Sequence, residues 1–529
     1  MNETTVRCDS LAPTWFEHPE WWFSKDHAYD TVITNMFGHL LDGDQNNGHI
    51  INQVLVWDQL PRHVYRNTQS NHVITYYLHK AITLLQNVAT AVEYASSDAE
   101  FMFLMLPFRH TQNMKHSIDV MKASWKWKWQ DDDLMRKFMR ATYTNSPVTP
   151  QYQPIRFFQP QAQPTFHTEV HSEVLDKNQY SVSIACAKEL SELQIPTLNF
   201  KGTYIVSLSG GVDSMVMLHI LLKSSNIPPS RIACVYIDYD NKPTSPQETL
   251  FVIDWCRHIR VPLYVRTLSE IHRAPCMNAD LREVYETYTK RVRFATYKAV
   301  HEMINFDVLH TQPEPYVLLG HNKDDCFENI LTNVTSRAKY ENLKGMTCMS
   351  CQDGVYFLRP MLHIAKKTII AFARGHNIPF LCDSTPAWSQ RGKIRDTIVP
   401  ALQTWNSESI GGFLELSDIM TSLYSCMETH IDACRRMMHT EHLDDTTTQH
   451  TISLTSNICH ANKMFWKVFL YKAFQQVISH KSLTNFIQRI SHAQNTNTLH
   501  IVLNTHMHVY VKYKNTQPTF IFHVQTRKE

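Results

Sequence analysis

Apolar positions along the chain change their period three times. From residue 12 to about 140 they recur at helical spacing, through Ile74, Leu78, Ile82 and Leu85 and again through Phe101, Leu104 and Met105. Aromatic residues crowd the start of this stretch at Trp15, Phe16, Trp21, Trp22 and Phe23. From about 145 to 199 periodicity gives way to proline and glutamine, as in Ser146-Pro147-Val148-Thr149-Pro150 and Gln159-Pro160-Gln161-Ala162-Gln163-Pro164. Such a composition predicts an extended linker. After 200, short apolar runs at Tyr204–Leu208, Ile232–Ile237, Pro262–Val265 and Tyr316–Leu319 alternate with helical stretches, the pattern of a parallel α/β sheet. Beyond 405, helical spacing at Phe413, Leu416, Ile419, Met420 and Leu423 precedes strand-like runs at Leu499–Leu503, Val509–Tyr513 and Thr519–Val524. The pattern predicts a multidomain chain: an all-α domain at 1–144, a linker and lead-in at 145–199, a central α/β domain with a parallel sheet at 200–404, and a mixed α+β region at 405–529.

Composition narrows the class. With 43% hydrophobic and 19% charged residues the 529-residue chain reads as globular, and its net charge of +2 requires any nucleic-acid surface to be local. No apolar run is long enough to span a membrane, and the N-terminus, with Asp9 and Glu17, lacks a signal-peptide pattern. The twelve cysteines are scattered, several inside apolar patterns such as Cys234 and Cys256, which fits reduced thiols and a cytoplasmic location. The thirty histidines show no zinc spacing.

One stretch carries the strongest chemistry. Tyr204-Ile205-Val206-Ser207-Leu208 reads as a strand, Ser209-Gly210-Gly211 as a turn, and Met215, Leu218, Leu221 and Leu222 as the apolar side of a following helix. A strand, a glycine turn and a helix start form an anion site, because backbone N–H groups are unpaired there and the helix dipole is positive. Ser209 and Ser214 add hydroxyls, and Asp213 either orients the turn or helps hold a metal beside phosphates. No Gly-Lys-Ser/Thr follows, so this is not a Walker A loop. A ligand-free tight turn is the plain alternative.

Further on, Gly320-His321-Asn322-Lys323-Asp324-Asp325-Cys326-Phe327-Glu328 leaves a strand and enters a helix, with Asp325 and Glu328 one turn apart on one face. Clustered carboxylates beside a phosphate loop invite magnesium, a hard cation that favours oxygen ligands. Arg391 and Arg395, four apart, could face an anion or form a solvated basic face. The polar run Ile237-Asp238-Tyr239-Asp240-Asn241-Lys242 falls at the same sheet edge and suits adenine or ribose recognition as well as a plain loop.

Together these segments resemble the tRNA(Ile)-lysidine synthetase family of PP-loop ATP pyrophosphatases. The resemblance runs from Ser209-Gly210-Gly211-Val212-Asp213-Ser214 through Glu286-x-x-x-Lys290-x-x-Arg293-Phe294, Gly320-His321-x-x-Asp324-Asp325-x-x-Glu328, Leu343-Lys344-Gly345-Met346 and Arg359-Pro360-Met361-Leu362 to the segment Asp383 to Arg395. It covers about residues 200–405. It implies that the 209–214 loop with Gly320 and His321 binds ATP, that Asp213, Asp325 and Glu328 hold Mg2+, and that Asp213, Asp324, Asp325 and Arg293 serve catalysis. Glu286, Lys290, Arg359, Arg391 and Arg395 would then contact substrate. The implied reaction adenylates the wobble cytidine of tRNA(Ile) with a CAU anticodon and joins free lysine to it. Lys290 stands where the family has arginine, and Tyr236-Ile237-Asp238-Tyr239 replaces a His-x-Asn-His segment. Two rivals remain open: tRNA 2-thiolation, for which Cys348-x-x-Cys351 has suitable spacing, and a catalytically inactive tRNA-binding protein.

The flanks are less specific. Val56 to Arg66 and Met105 to Thr111 resemble a bacterial helical domain family of unknown function with a tetratricopeptide-like fold, with Gln112 where an acid is expected. Asp58, Arg62 and Arg66 in that segment suit buried polar pairs and catalysis alike. Between 451 and 529, nine Lys or Arg stand against one acid, Glu529, with Trp466, Tyr510 and Tyr513 interleaved. That excess suits an RNA backbone or a solvated basic face.

Overall fold

The computed structural model describes residues 11–24, 26–42, 49–66, 70–160, 166–175, 203–223, 229–305, 315–335, 345–383, 385, 389–444, 447–454, 463–492, 498–514 and 517–525. They divide into two compact units: Met1–Asn322 with Cys348–Ser384, and Lys323–Thr347 with Thr385–Glu529.

The first unit begins with the helices that the 3.6-residue spacing predicts, among them His27–Phe37, Asn71–Leu85, Asp98–His110, Met114–Lys126 and Asp132–Asn145. Side chains of Asp26, Ser97, Asn113 and Asp131 accept backbone N–H groups at four of the helix starts, which satisfies donors that have no partner inside the helix. Trp15, Phe37, Val54, Leu55, Phe101, Phe103 and Leu104 are fully buried in one apolar cluster. Asp98 is buried too, and accepts from the Trp127 indole and the Gln130 N–H, each at 2.7 Å.

The same unit holds a seven-stranded sheet. Its strands are β1 (Arg156–Phe158), β2 (Tyr204–Ser207), β3 (Ile232–Asp238), β4 (Leu263–Thr267), β5 (Tyr316–Leu318), β6 (Met349–Gln352) and β7 (Val355–Leu358), in the order β1-β4-β3-β2-β5-β7-β6. The five inner strands are parallel. Both edges, β1 on β4 and β6 on β7, are antiparallel, so the expected parallel sheet forms the core between two antiparallel edge strands. Neighbouring residues of β2 serve opposite faces: Tyr204 and Val206 join one apolar cluster, Ile205 the other. Burial on both sides is why these strands read as unbroken apolar runs.

The proline-rich stretch departs from its prediction. Within the 145–199 segment, residues 146–158 are not a free linker: Pro150–Tyr152 forms a short helical turn and Arg156–Phe158 is edge strand β1, with Arg156 opposite Val265. Proline is compatible with turns and sheet edges because its fixed φ suits them and no ladder N–H is needed. The rest of that segment lies mostly outside the described residues. Gln153 accepts from Arg266 Nε at 3.3 Å, and Arg266 forms a fully buried ion pair with Glu270. The helical domain is packed on the same surface. Met121, Met139 and Tyr143 share a cluster with Leu268, Ile271, Tyr288 and Val292. The Tyr143 hydroxyl donates to the Glu270 carbonyl at 2.7 Å, and Arg291 donates to the carbonyls of Tyr143, Thr144 and Ser146 at 2.8–3.1 Å.

In the second unit, the helix Lys323–Thr335 lays Phe327 and Leu331 against Ile394, Leu402 and Phe413. A cut at 404/405 therefore runs through a packed cluster. The helix Ser409–Arg436 leads to a five-stranded antiparallel sheet of β8 (His439–His442), β9 (Thr447–Ser453), β10 (Leu499–Asn504), β11 (Met507–Lys514) and β12 (Gln517–Gln525), ordered β10-β11-β12-β9-β8. Val509, Val511, Phe520 and Phe522 face Trp466, Phe469 and Phe486 from two helices. No helix among the described residues is long and apolar enough to cross a membrane.

The docking of the helical domain generates a prediction. Tyr143→Phe should lower unfolding free energy by about 1–3 kcal/mol, because it strands the Trp125 indole N–H that the buried hydroxyl accepts at 2.7 Å. Deleting residues 1–145 should leave a poorly soluble remainder with the Leu268–Tyr288 surface bare. Denaturant melts and sedimentation check both; a truncated chain as stable and monodisperse as the full one contradicts the packing.

Candidate functional site

Strand order decides where a site can form. The chain steps from β2 to β3 and β4 on one side and returns to β5 on the other, so the crevice beyond the carboxyl ends of β2 and β5 is the topological switch point of the sheet. Two loops leave the sheet there: residues 208–211 after β2, and residues 319–322 after β5.

The first loop is held by its own side chains. Ser214 Oγ accepts from Ser209 N–H at 3.1 Å and donates to the Gly211 carbonyl at 3.0 Å; Ser209 Oγ lies 3.1 Å from Ser214 Oγ. Gly210 has φ +78°, a left-handed conformation, and a Cβ there would stand 2.5 Å from Leu381 Cδ1. Leu381 N–H donates back to the Gly210 carbonyl at 2.9 Å. The helix Val212–Lys223 starts directly after the turn, with Asp213 in its first turn. Its first N–H groups have no acceptor within the helix and the positive end of its dipole faces the loop.

The second loop presses against the first. A Cβ on Gly320 would lie 2.9 Å from the backbone of both Asp213 and Ser214, so only glycine allows this approach. Asn322 Nδ2 donates to Asp213 Oδ1 at 3.0 Å, and Lys366 forms an ion pair with Asp213 Oδ2. His321 Nδ1 accepts from Arg359 Nε at 3.1 Å, while Arg359 Nη1 donates to Ser350 Oγ at 2.9 Å. The structure thus brings together Ser209, Gly210, Gly211, Val212, Asp213, Ser214, Gly320, His321 and Arg359 of the predicted set. It adds Lys366 and Asn322, which the sequence reading missed. Lys366 begins the helix Lys366–Gly375, and a lysine there looks like any solvated residue until the fold sets it beside Asp213.

The helix Arg282–Asn305 carries three other predicted residues. Glu286 pairs with Arg282 on an exposed face at 2.8 Å, and Lys290 Nζ stands 5.3 Å from the Phe294 ring. Arg293 is half-buried, one turn before Tyr297, whose hydroxyl meets Ser207 Oγ at 2.7 Å at the end of β2. The polar run after β3 is taken up in folding: buried Asp238 accepts from Asp240 N–H at 2.9 Å and from the Thr249 and Thr267 hydroxyls at 3.1 and 3.3 Å.

The acids after the second loop belong to the other unit and form a set of their own. Asp324 is exposed in the first turn of Lys323–Thr335, whereas Asp325 and Glu328 are buried. Arg395 Nε donates to Glu328 Oε1 at 2.5 Å, Arg391 Nε lies 3.4 Å from Glu328 Oε2, and both guanidinium groups stand 3.7 Å from Asp325 Oδ1. Burial pushes the Glu328 carboxyl upward, and Arg395 and Arg391 oppose that shift. Arg395 lies in a π-helical turn, Ile394–Ile398. Asp213, Asp325 and Glu328 each engage a cation, and no group of three ligands among the described residues could hold a metal.

Cys348 immediately precedes β6 and Cys351 lies on it. Residues three apart along a strand point to opposite faces, so this spacing does not converge on a shared ligand. Cys348 Sγ instead stands 3.7 Å from His363 Nε2.

Comparison with known proteins agrees with this geometry. Residues 183–402 match the PP-loop domain model, and residues 11–145 match a model described as a bacterial protein of unknown function, DUF924. The chain is 29% identical over 214 residues to the tRNA(Ile)-lysidine synthase of Chlamydia muridarum, covering 40% of this chain and 61% of that protein. It is 25% identical over 226 residues to the enzyme of that name from Staphylococcus aureus, covering 42% and 49%, and 27% identical over 245 residues to that from Pseudothermotoga lettingae, covering 46% and 50%. The match thus spans about half to three-fifths of these relatives' length. The U34-tRNA thiolase NcsA from Methanococcus maripaludis, solved with its 4Fe-4S cluster, aligns with a TM-score of 0.33 at 15% identity over 45% of this chain and 79% of that one, too distant to carry an argument. Residues 183–402 thus match the PP-loop domain model in a chain similar to tRNA(Ile)-lysidine synthases, behind residues 11–145 that match the DUF924 model.

Proposed function

We propose that this chain is a cytoplasmic, ATP-dependent tRNA-modifying ligase that converts the wobble cytidine of a CAU-anticodon tRNA(Ile) to lysidine, with free lysine as co-substrate. The observation that carries the reading is the Gly320 backbone packed on the Ser-Gly-Gly-x-Asp-Ser loop at the switch point, with Lys366 and Asn322 fixing Asp213. That cradle offers N–H groups, a hydroxyl pair and a cation to a triphosphate.

In the first step the cytidine C2 oxygen attacks the α-phosphorus of ATP, forming the O–P bond as pyrophosphate leaves. Lys366 and the first turn of Val212–Lys223 oppose the charge that builds on the leaving group, which is electrostatic stabilisation by groups already in place. In the second step the ε-amine of lysine attacks C2, AMP leaves with the oxygen, and the amine loses a proton to a base. Asp324, exposed and two residues after Asn322, is the candidate acceptor. A magnesium ion carried in with the triphosphate would be met by Asp213 at the start of Val212–Lys223, where it would supply charge neutralisation beside the phosphates. The basic residues between 451 and 528 are the candidate contact for the tRNA backbone. On the outer face of the C-terminal sheet, His500 stacks on Tyr510 at 4.6 Å and on His508 at 5.4 Å, a platform suited to unpaired bases.

Nucleoside mapping of tRNA from cells with and without the protein tests the reaction. Lysidine at position 34 of the isoleucine tRNA should vanish with the protein; 2-thiocytidine vanishing instead, or no change, overturns the reading. Within the site, Lys366→Ala should cut pyrophosphate release at least 100-fold with the melting temperature lowered by only a few degrees, since the residue is a partly exposed helix-start position. Gly320→Ala should cut release as far but at a larger cost in stability, because its Cβ meets the Asp213 and Ser214 main chain. Unchanged release by either variant removes it from the cradle. The double variant Cys348→Ser/Cys351→Ser should keep its activity within about twofold, and loss of activity together with an iron–sulfur absorbance would move the assignment to thiolation.

A further inference from the structure

The helical domain contains a second polar site that the ligase reading leaves without a role. A π-helical turn at Leu55–Gln59 breaks the regular ladder between the helices Ile50–Val54 and Leu60–Val64. Such turns are uncommon and gather at functional positions. This one sets Asp58 and Gln59 facing the end of Asp98–His110, where His110 Nδ1 lies 2.8 and 3.0 Å from the two oxygens of Asp58. Arg62 Nη2 donates to Asp58 Oδ1 at 3.1 Å, and Gln59 Nε2 to Oδ2 at 2.5 Å.

A parallel arrangement stands beside it. Asp30 accepts from His63 Nδ1 at 2.8 Å and pairs with Arg66 Nη1 at 3.1 Å. Both carboxylates are buried, at 1% and 6% exposure. Burial alone would push Asp58 upward, but His110, Arg62 and the Gln59 hydrogen bond outweigh it and hold the carboxyl at about 2. Burial pushes His63 and His110 below their ordinary value, and Asp30 and Asp58 oppose that shift. Arg109, close enough for Asp58 to act on it electrostatically, donates to Thr142 Oγ1 at 3.4 Å and lies over the Phe138 ring. Two guanidinium groups thus pair with two carboxylates, and Arg109 nearby adds a third positive charge to the cluster.

An open cavity of about 550 Å3 stands above these carboxylates, lined by Arg62, Arg66, His63, His110 and Gln59 together with Trp22 and Phe23. The two arginines are one turn apart and 30% and 26% exposed, so each is engaged by a carboxylate below while part of its guanidinium faces the cavity. A guanidinium has five donors, more than one carboxylate uses. Phe23 is 58% exposed and stacks nearly parallel on Phe103, 6.2 Å between centroids, which holds the ring in place without covering its outer face. Paired carboxylates that only joined helices would require neither the cavity nor the bare aromatic ring.

We infer that this cavity binds a small planar organic anion, its phosphate or carboxylate held by Arg62 and Arg66 and its ring laid on Phe23 and Trp22. The site is independent of the PP-loop reading, since none of its residues belongs to that loop. Calorimetric titration of the full-length protein with phenyl phosphate, inorganic phosphate and phenol tests it. Phenyl phosphate should bind, inorganic phosphate should bind at least tenfold more weakly, and phenol should give no heat. Arg62→Gln/Arg66→Gln should weaken phenyl phosphate at least tenfold, and Phe23→Ala should remove the advantage of phenyl phosphate over phosphate. Because Arg62 neutralises buried Asp58, the double variant could fail to fold. Phe23→Ala changes only an exposed ring, and hydrogen-exchange protection of residues 22–27 and 59–66 by phenyl phosphate in the wild-type protein requires no variant. No heat with phenyl phosphate, protection elsewhere, or equal binding in a folded double variant each overturns the inference.

Discussion

The packing of two backbones without a side chain between them governs the central site. Gly320 meets Asp213 and Ser214 so closely that a single methyl group would have to displace main-chain atoms, and the turn just before them is held by Leu381, which packs on Gly210 and donates to its carbonyl. A phosphate cradle works only if its N–H groups are already aimed when the anion arrives, since turning them at that moment costs the reorganisation that catalysis must avoid. Here β2 and β5, adjacent and parallel, set the spacing of the two loops, and the absence of Cβ atoms lets them close. Asn322 and Lys366 then fix the Asp213 carboxylate from two directions.

That division explains what was legible in the sequence. Ser209 to Ser214 and Gly320-His321 could be read because glycine at a strand-to-helix turn has few other uses, and the inner strands because burial on both faces leaves unbroken apolar runs. Lys366 could not be read, since nothing local marks a lysine at a helix start whose partner is 153 residues away. Arg359 was singled out, but its contact with His321 depends on β5 and β7 being neighbours. β1 was hidden in a proline-rich stretch, where composition suggests a tether and only the sheet edge reveals a strand. Asp238 left two readings open in the sequence, nucleotide recognition or a plain loop; in the structure its carboxylate accepts from the Thr249 and Thr267 hydroxyls.

Charge is handled the same way in three places that share no sequence. Asp213 with Lys366, Glu328 with Arg395 and Asp58 with Arg62 and His110 each set a carboxylate against a basic side chain, and the last two carboxylates are buried. Removing one partner from such a pair leaves an uncompensated charge, a far larger penalty than the pair is worth intact. Two of the three lie at π-helical turns, Leu55–Gln59 and Ile394–Ile398. A π-turn rotates the residues that follow it relative to a regular helix, which is one way for an acid or an arginine to be re-aimed without breaking the helix.

The helix Arg282–Asn305 ties the two domains of the first unit to one another. Near its start Tyr288, Arg291 and Val292 receive Tyr143 and the carbonyls of the helical domain; further along, Tyr297 reaches Ser207 at the root of the phosphate loop. Arg293 sits between these contacts. A helix packed at both ends has a defined axial position, and a residue in its middle inherits that position. The buried Arg266–Glu270 pair adds to this, because Glu270 takes the Tyr288 hydroxyl at 3.1 Å through its carboxylate and the Tyr143 hydroxyl through its carbonyl. The helical domain therefore acts on the central domain as a brace on the helix that borders the site, whatever its own cavity binds. This is a mechanical reason for the two domains to be packed against each other rather than strung on a flexible tether.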